Sequence, residues 1–425
     1  MTGHGKRGNA RAACPVVVLL LATGIGLQAQ SPKIYTYVGR ITADSFLLAW
    51  GTAEGSGNTI GRTSRPLAQA VVEVDGRQVN SDRNWVELQG LEPDHTYDYR
   101  LLLAGREVGR GQVRTDPASA ERLSFFVIGD YGNGQRPQYQ IAGAMVREFE
   151  KRQRSDNPVR FVLTTGDNIY SNTFMGLFPS RSGGKDSDWR EKFFEPYEAL
   201  LRHIPFYPTI GNHDRRDESG DPGDEEVLTY LDNFFFPGNA SSPYYTFSFG
   251  GLVDFFALDS TAMWPRGPMG ANLTESGGQF HWLQTTLARS TSPWKIAYLH
   301  HPPFNAGPGH EPSMGSLAPV VAQFRKAGVQ AVFSGHEHNF QFTRPNAETG
   351  NTVYVVSGAG GQVRTGRIYG DMNEAGIAGT SPQRHFLLVE IEPNEMKITP
   401  LSYEPVVVRD AQRRAIPMPL VIPRN

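Results

Sequence analysis

Residues 123–130 read LSFFVIGD, an apolar run that breaks on Gly129 and Asp130. A run that is apolar at every position, instead of every second one, suits a strand buried on both faces. The pattern then recurs. RFVLTTGDNIY (160–170) ends in Asp167 and Tyr170, and FYPTIGNHD (206–214) ends in Asn212, His213 and Asp214. KIAYLHHPP (295–303) delivers His300 and His301, and AVFSGHEH (331–338) delivers His336 and His338. Helical patterns lie between these runs, such as QIAGAMVREFEKR (140–152) and GQFHWLQTTLARS (278–290). In the second of these, Phe280, Leu283 and Leu287 fall at helical spacing and read as a packing face. Strands alternating with helices specify an α/β core.

The region before this core has another texture. Residues 33 to about 115 carry apolar-rich runs (IYTYV, SFLLAWG, AVVEV, DYRLLLAG) separated by turn-formers such as Asp75-Gly76, the pattern of an all-β unit. The segment LEPDHTYDYRLLL resembles the E–F corner of fibronectin type III domains, with Tyr97 as the corner tyrosine and Tyr99 on the same face. The expected organisation is a fibronectin III-like β-sandwich over residues 31–118 and an α/β unit over residues 119–425, with strand-like runs returning after about residue 350. The polar loop 171–190 reads as a flexible flap.

Residues 1–30 have the layout of a secretory signal peptide. Lys6, Arg7 and Arg11 precede an apolar stretch from Pro15 to about Leu27, and small and polar residues follow it. That stretch is short for a bilayer span, so the expectation is a secreted or periplasmic protein with no membrane span after signal removal. The single cysteine, Cys14, lies within this segment, which removes thiolate metal sites, cysteine nucleophiles and disulfides from consideration. A net charge of −2 and a pI near 6.6 give no footprint for nucleic acid or an anionic membrane. If the chain handles phosphates, local chemistry must do it.

The strand ends supply that chemistry. In open α/β sheets, ligands bind outside the carboxyl ends of the strands. Here five runs in series end in oxygen or imidazole donors, several after a glycine that lets the chain turn. Carboxylates and a carboxamide mixed with imidazole suit zinc, manganese and iron. The donors exceed what one four-coordinate ion takes, which argues for two ions sharing a bridging carboxylate. Two ions about 3.5–4 Å apart clamp the attacking and leaving oxygens of an in-line phosphoryl displacement.

The ordered set GDYG, GDNIY, GNHD, HHP and GHEH resembles the five motifs of the calcineurin-like metallophosphoesterases, and more narrowly their purple acid phosphatase branch. Most of the superfamily reads Asp-x-His in the first motif. This chain has Asp130-Tyr131-Gly132 instead, and Tyr170 stands where purple acid phosphatases place a tyrosine ligand. The resemblance covers residues 123 to about 365. It implies a sandwich of two mixed sheets flanked by helices, preceded by the all-β domain, and a binuclear centre. One metal would take Asp130, Tyr170 and His338, the other Asn212, His300 and His336, with Asp167 bridging. A trivalent iron belongs in the pocket with a carboxylate and a phenolate to itself, and a divalent ion (Fe²⁺, Zn²⁺ or Mn²⁺) in the neutral one. The implied activity is hydrolysis of phosphate monoesters by in-line attack of a metal-bound hydroxide, at acidic pH.

Roles for the remaining donors follow from position. His213 can bond a phosphate oxygen or protonate the leaving alkoxide, and Asp214 would hold its tautomer unless it is an ordinary turn residue. His310, ten residues after His300, matches the offset of substrate-facing histidines in plant-type enzymes. Alternation along an extended strand would send His336 and His338 to one face, and His301 and Glu337 away from the metals. Two other readings stand beside this one: a phosphodiesterase or nucleotide/pyrophosphate hydrolase with the same centre, and a non-catalytic surface-binding protein with a vestigial site.

Overall fold

The computed structural model describes residue 1 and residues 32–53, 60–171, 173–174, 178–179, 186–214, 224–239, 242–263, 273–364, 366 and 372–424. Nearly all of the expected signal segment and half of the 171–190 flap lie outside the described residues. Of the flap, Thr173–Phe174 pairs antiparallel with Phe178–Pro179. Among the described residues, no helix is long and apolar enough to cross a membrane.

Seven strands come first: β1 (Ile34–Ile41), β2 (Ser45–Thr52), β3 (Ala70–Val74), β4 (Arg77–Ser81), β5 (Trp85–Gln89), β6 (Thr96–Leu103) and β7 (Arg106–Arg114). They form the sheets β1-β2-β5 and β4-β3-β6-β7. Along β6 every second residue points inward, and Tyr97, Tyr99 and Leu101 meet Phe46, Leu48 and Trp50 of β2 in one apolar core. Asp75-Gly76 and Ala104-Gly105, all at positive φ, close the β3–β4 and β6–β7 hairpins. Such turns match the right-handed twist of the strands they join. Tyr97 Oη accepts a hydrogen bond from the Glu92 amide at 2.7 Å, as expected of the corner tyrosine. The fibronectin III-like reading of this region holds.

Strands β1 and β2 are buried on both faces. One face lines the sandwich core; the other carries Tyr35, Tyr37, Leu47 and Ala49 into the core of the rest of the molecule. Tyr37 packs edge-on against Phe194, with ring centroids 5.3 Å apart, and Trp85 of β5 against Phe235 at 5.8 Å. Tyr99 Oη donates to the Arg202 carbonyl at 3.0 Å.

The remainder is built on two mixed sheets. After the small flap hairpin, β10 (Thr173–Phe174) and β11 (Phe178–Pro179), the strands are β12 (Phe206–Pro208), β13 (Tyr245–Phe249), β14 (Val253–Ala257), β15 (Trp294–Tyr298), β16 (Ala331–Ser334), β17 (Phe340–Thr343), β18 (Val353–Ser357), β19 (Ile377–Ser381), β20 (Phe386–Ile391), β21 (Glu395–Leu401) and β22 (Leu420–Pro423). Preceding them, β8 (Leu123–Ile128) and β9 (Val159–Thr164) are buried at every position. One sheet has the order β12-β9-β8-β20-β21-β22, and the other β13-β14-β15-β16-β18-β17-β19. Within them β12-β9-β8 and β14-β15-β16-β18 run parallel, and the flanking strands antiparallel.

Helices cover these sheets. Helix α1 (Arg136–Arg152) carries Pro137 in its first turn, where the missing N–H costs nothing, and buries Ile141, Met145 and Phe149. Short helices α2 (Asp186–Trp189), α3 (Glu195–Leu201) and α4 (Asp224–Asn233) follow, with a π-helical turn at Arg190–Phe194 between the first two. Helix α5 (Gly278–Arg289) turns Phe280, Leu283 and Leu287 inward, the face read from their spacing. Helix α6 (Met314–Ala327) stops at Gly328, in the left-handed conformation that closes many helices. The result is the sandwich of two mixed sheets expected from the motifs.

Candidate metal centre

Strands β8, β9 and β12 of one sheet and β15 and β16 of the other end around a single buried pocket. Each strand leaves its sheet through a sharp reversal. Asp130, Asp167 and His336 all sit at positive φ (56°, 49° and 69°), a region that L-residues seldom adopt and that Asp, Asn and His tolerate best. The glycines before them permit close approach. A Cβ on Gly211 would lie 2.2 Å from the Asp167 amide nitrogen, and one on Gly335 would lie 2.3 Å from Asp130 Oδ2. The motifs therefore interlock, Gly211 leaving room for Asp167 of the second motif and Gly335 for Asp130 of the first.

One side of the pocket is rich in oxygen. Asp130 is fully buried and accepts from the His336 amide at 3.0 and 2.9 Å. Tyr170 Oη lies 3.1 Å from Asp130 Oδ1 and 3.2 Å from His338 Nε2, and His338 Nε2 lies 3.4 Å from Asp130 Oδ1. Asp130, Asp167 and His338 bring possible ligand atoms within 4.8 Å of one another.

The other side is rich in nitrogen. His300 Nδ1 faces the Thr165 carbonyl at 2.8 Å. A carbonyl only accepts, so Nδ1 carries the proton and Nε2 offers a lone pair, the arrangement usual for a metal-binding imidazole. That Nε2 lies 2.9 Å from Asn212 Oδ1, 3.3 Å from Asp167 Oδ1 and 3.2 Å from His336 Nδ1. The Asn212 and Asp167 oxygens thus converge on this lone pair with no hydrogen of their own between them. A cation fits there, and the mixed oxygen and imidazole donors fit a transition metal on each side.

The electrostatics agree. Burial pushes the Asp130 carboxyl well above its usual range, with the neighbouring charge of Asp167 adding to the rise. Burial also opposes ionisation of Asp167, but His300 and then His213 hold that group below the usual range. Burial drives the Tyr170 phenol up and the His336 imidazole down. The same burial, with Arg364 beside it, lowers His338 to about 4. Protein groups alone leave this pocket short of positive charge.

Three expectations need correction. Residues 336–338 are not extended: β16 ends at Ser334, and tight turns follow, with the Glu337 amide donating to the Gly335 carbonyl at 2.8 Å and the Asn339 amide to the Glu337 carbonyl at 2.7 Å. His336 and His338 diverge through these turns, not through strand alternation. His301 does not leave the site either. Strand β15 ends at Tyr298, so alternation has lapsed by residue 301, and His300, His301 and His336 bring possible ligand atoms within 4.8 Å of one another. Asp214 does not hold the His213 ring. Its oxygens accept from the Gly211 amide at 2.7 Å, the Asn168 side chain at 2.9 Å and the Ile169 amide at 3.0 Å, which pins the third motif to the second. Burial raises this carboxyl to about 8, with Asp167 next in effect.

The other substrate-facing candidates line the rim. His213 donates its amide to Asp167 at 2.9 Å, and its ring lies 4.6 Å from that of Tyr170. His310 stacks on His336 with centroids 3.7 Å apart. Its Nδ1 lies 3.4 Å from Glu337 Oε2, and its amide donates to the same oxygen at 2.7 Å. Glu337, whose Oε2 also accepts from the Gly309 amide at 3.1 Å, anchors this rim segment.

Comparison with known proteins settles the family. The calcineurin-like phosphoesterase profile matches residues 123–340, half of the chain, and spans every motif described above. This chain belongs to the calcineurin-like phosphoesterase family. Its relatives include tartrate-resistant acid phosphatase type 5 of Rattus norvegicus, 27% identical over 57% of this chain and 74% of that protein. Purple acid phosphatase 3 of Arabidopsis thaliana is 28% identical over 59% of this chain and 66% of its own length. The fold matches a purple acid phosphatase from yellow lupin seeds with a TM-score of 0.69 at 15% identity, covering 93% of this chain and 75% of that one.

Several supporting residues of this phosphoesterase escaped the sequence reading. Lys192, in the π-helical turn, donates to the Tyr170 carbonyl at 2.7 Å. Asn168 ties Tyr131, Thr164, Thr209 and Asp214 together. Ser260 receives the amides of both His300 and His301. Only Asn168 carried a signal, since it lies inside GDNIY.

Proposed function

We propose that this phosphoesterase is an exported acid phosphatase acting on phosphate monoesters, with Fe³⁺ at Asp130, Tyr170 and His338, a divalent ion at Asn212, His300 and His336, and Asp167 between them. The observation that carries this reading is the contact of Tyr170 Oη with both Asp130 and His338 on the side opposite the neutral nitrogen donors. The names of the relatives, acid phosphatases from a mammal and a plant, support the reaction class. Once bound, the ions would supply an acidic water as nucleophile and offset charge on the transferring phosphoryl group.

The chain's own residues do the rest. Asp130 and Asp167 keep their carboxylates aimed inward through left-handed turns, at no cost in motion when substrate arrives. Thr165 fixes the His300 tautomer. His213, a quarter exposed at the rim, is placed to give a proton to the leaving oxygen. His310 is held by Glu337 on the far side and can bond a phosphate oxygen or share the proton-donor role. The domain division near residue 118 and cleavage near residue 30 belong to the same proposal.

Colour tests it. Metallated protein should show a visible charge-transfer band that Tyr170→Phe abolishes while both ions remain; a colourless, fully metallated protein removes the iron assignment and leaves the phosphoesterase. Rates on monoesters against diesters then decide the substrate class, with faster diester hydrolysis sinking the monoester claim.

A further inference from the structure

Ser260 begins a short helical turn, Ser260–Met263, after β14. Its Oγ accepts from the His300 amide at 3.2 Å and from the His301 amide at 2.9 Å. A hydroxyl has two acceptor lone pairs and one hydrogen. With both lone pairs engaged, the hydrogen goes to His301 Nδ1, 2.9 Å away. Nδ1 is therefore an acceptor, and the neutral ring carries its proton on Nε2. Next door the logic reverses, because the Thr165 carbonyl keeps the His300 proton on Nδ1. Two adjacent imidazoles are thus set to opposite tautomers by their own surroundings. One offers a lone pair and the other an N–H.

Among the described residues that N–H has no acceptor, since the one side-chain hydrogen bond of His301 runs through Nδ1. The residue is only 4% exposed, yet its ring lies 4.5 Å from that of His336 and 4.9 Å from that of His300. A donor facing the candidate metal pocket, with no acceptor among the described residues, is free to bond something held there. Ligation by His301 would require the proton on Nδ1, leaving Ser260 Oγ with three donors for two lone pairs.

We propose that His301 is a neutral hydrogen-bond donor to a phosphoryl oxygen held on the His300/His336 side of the centre, and not an additional metal ligand. This rests on the phosphatase reading above. It gives the site a donor that stays fixed, in contrast to His213 and His310, whose side chains are 25% and 28% exposed and can exchange protons with solvent.

The test measures inorganic phosphate binding by calorimetry on fully metallated protein, together with metal content per chain. His301→Phe keeps the ring and loses the donor. It should retain two ions and bind phosphate about tenfold to hundredfold more weakly, the range for a hydrogen bond to a charged group. His301→Gln restores an N–H and should recover part of the loss. Ser260→Ala frees the tautomer and should fall between wild type and His301→Phe, which keeps the test decisive if the phenylalanine variant does not fold. Loss of one ion in the His301 variants would make His301 a ligand and overturn the proposal. So would unchanged phosphate affinity with both ions present. Wild-type protein that holds fewer than two ions defeats the phosphatase reading itself, and this inference falls with it.

Discussion

The two sides of the centre come from different sheets and do different electrostatic work. The six-stranded sheet contributes Asp130, Asp167 and Tyr170, and the seven-stranded sheet contributes His300, His301 and His336. Each sheet also lends one residue across the seam: His338 joins the carboxylates, and Asn212 joins the imidazoles. The difference teaches that the charge of each half is set by which strands end there, whereas the spacing of the halves is set by the seam. That seam is held by main-chain contacts such as the Gly360 amide on the Gly129 carbonyl at 2.9 Å, and by His385, whose Nε2 meets Ser357 Oγ at 3.1 Å.

Breaking the comparison outright takes Asp167, whose carboxylate lies 3.3 Å from His300 Nε2 on the imidazole side and is bonded by the Tyr170 side chain on the other. Asp167→Asn should empty both halves and lower activity by more than about 100-fold, since even outer partners of metal ligands are worth about 10–100-fold. Metal analysis that still finds two tightly held ions would show that Asp167 is not shared.

The seam itself should respond to pH. Burial lowers His385 to about 4, below its ordinary 6.5. The folded protein therefore holds this ring neutral. The stability it contributes is present above pH 6.5 and is lost as pH falls through 4, by up to about 3 kcal/mol across that window. Unfolding midpoints of His385→Gln should fall less steeply than those of wild type between these pH values; parallel curves would remove His385 from the account.

Smaller perturbations separate the halves. Gly335→Ala places a Cβ 2.3 Å from Asp130 Oδ2 and 2.7 Å from the Thr165 carbonyl. Overpacking of this kind costs about 1–3 kcal/mol. It should weaken metal binding at the oxygen-rich half first, read as bleaching of the visible band before loss of the second ion. Smallest is Glu337→Gln, which loosens His310 without touching a ligand. A fall of roughly threefold to tenfold in kcat with both ions retained is expected, the scale of one net hydrogen bond. A change in metal content would contradict that placement.

Most of the architecture could be read from residues alone. Strands buried on both faces show no alternation, so LSFFVI and its counterparts announce a central sheet, and a donor after each one announces a site. What stayed hidden depended on partners distant in sequence or on backbone angles. Strands β4 and β7 read as polar because their side chains are largely solvent-facing, and only pairing with β3 and β6 makes them strands. The directions of His336 and His338 come from a positive φ that a histidine, unlike a glycine, does not advertise. The task of Asp214 is fixed by Asn168, 46 positions away in the chain.

The double burial of β1 and β2 bears on how the molecule could be divided. A chain shortened to begin near Leu123 would uncover Phe194 and Phe235, together with Tyr207, whose hydroxyl accepts from the Ile41 amide at 3.2 Å. Such a fragment would present a wet aromatic plate and an unmet phenol instead of a finished surface, and it should self-associate at concentrations where the whole chain stays dispersed. The sandwich is thus inseparable from its neighbour in the way a wall is from the room behind it, although none of its described residues is among the candidate ligands.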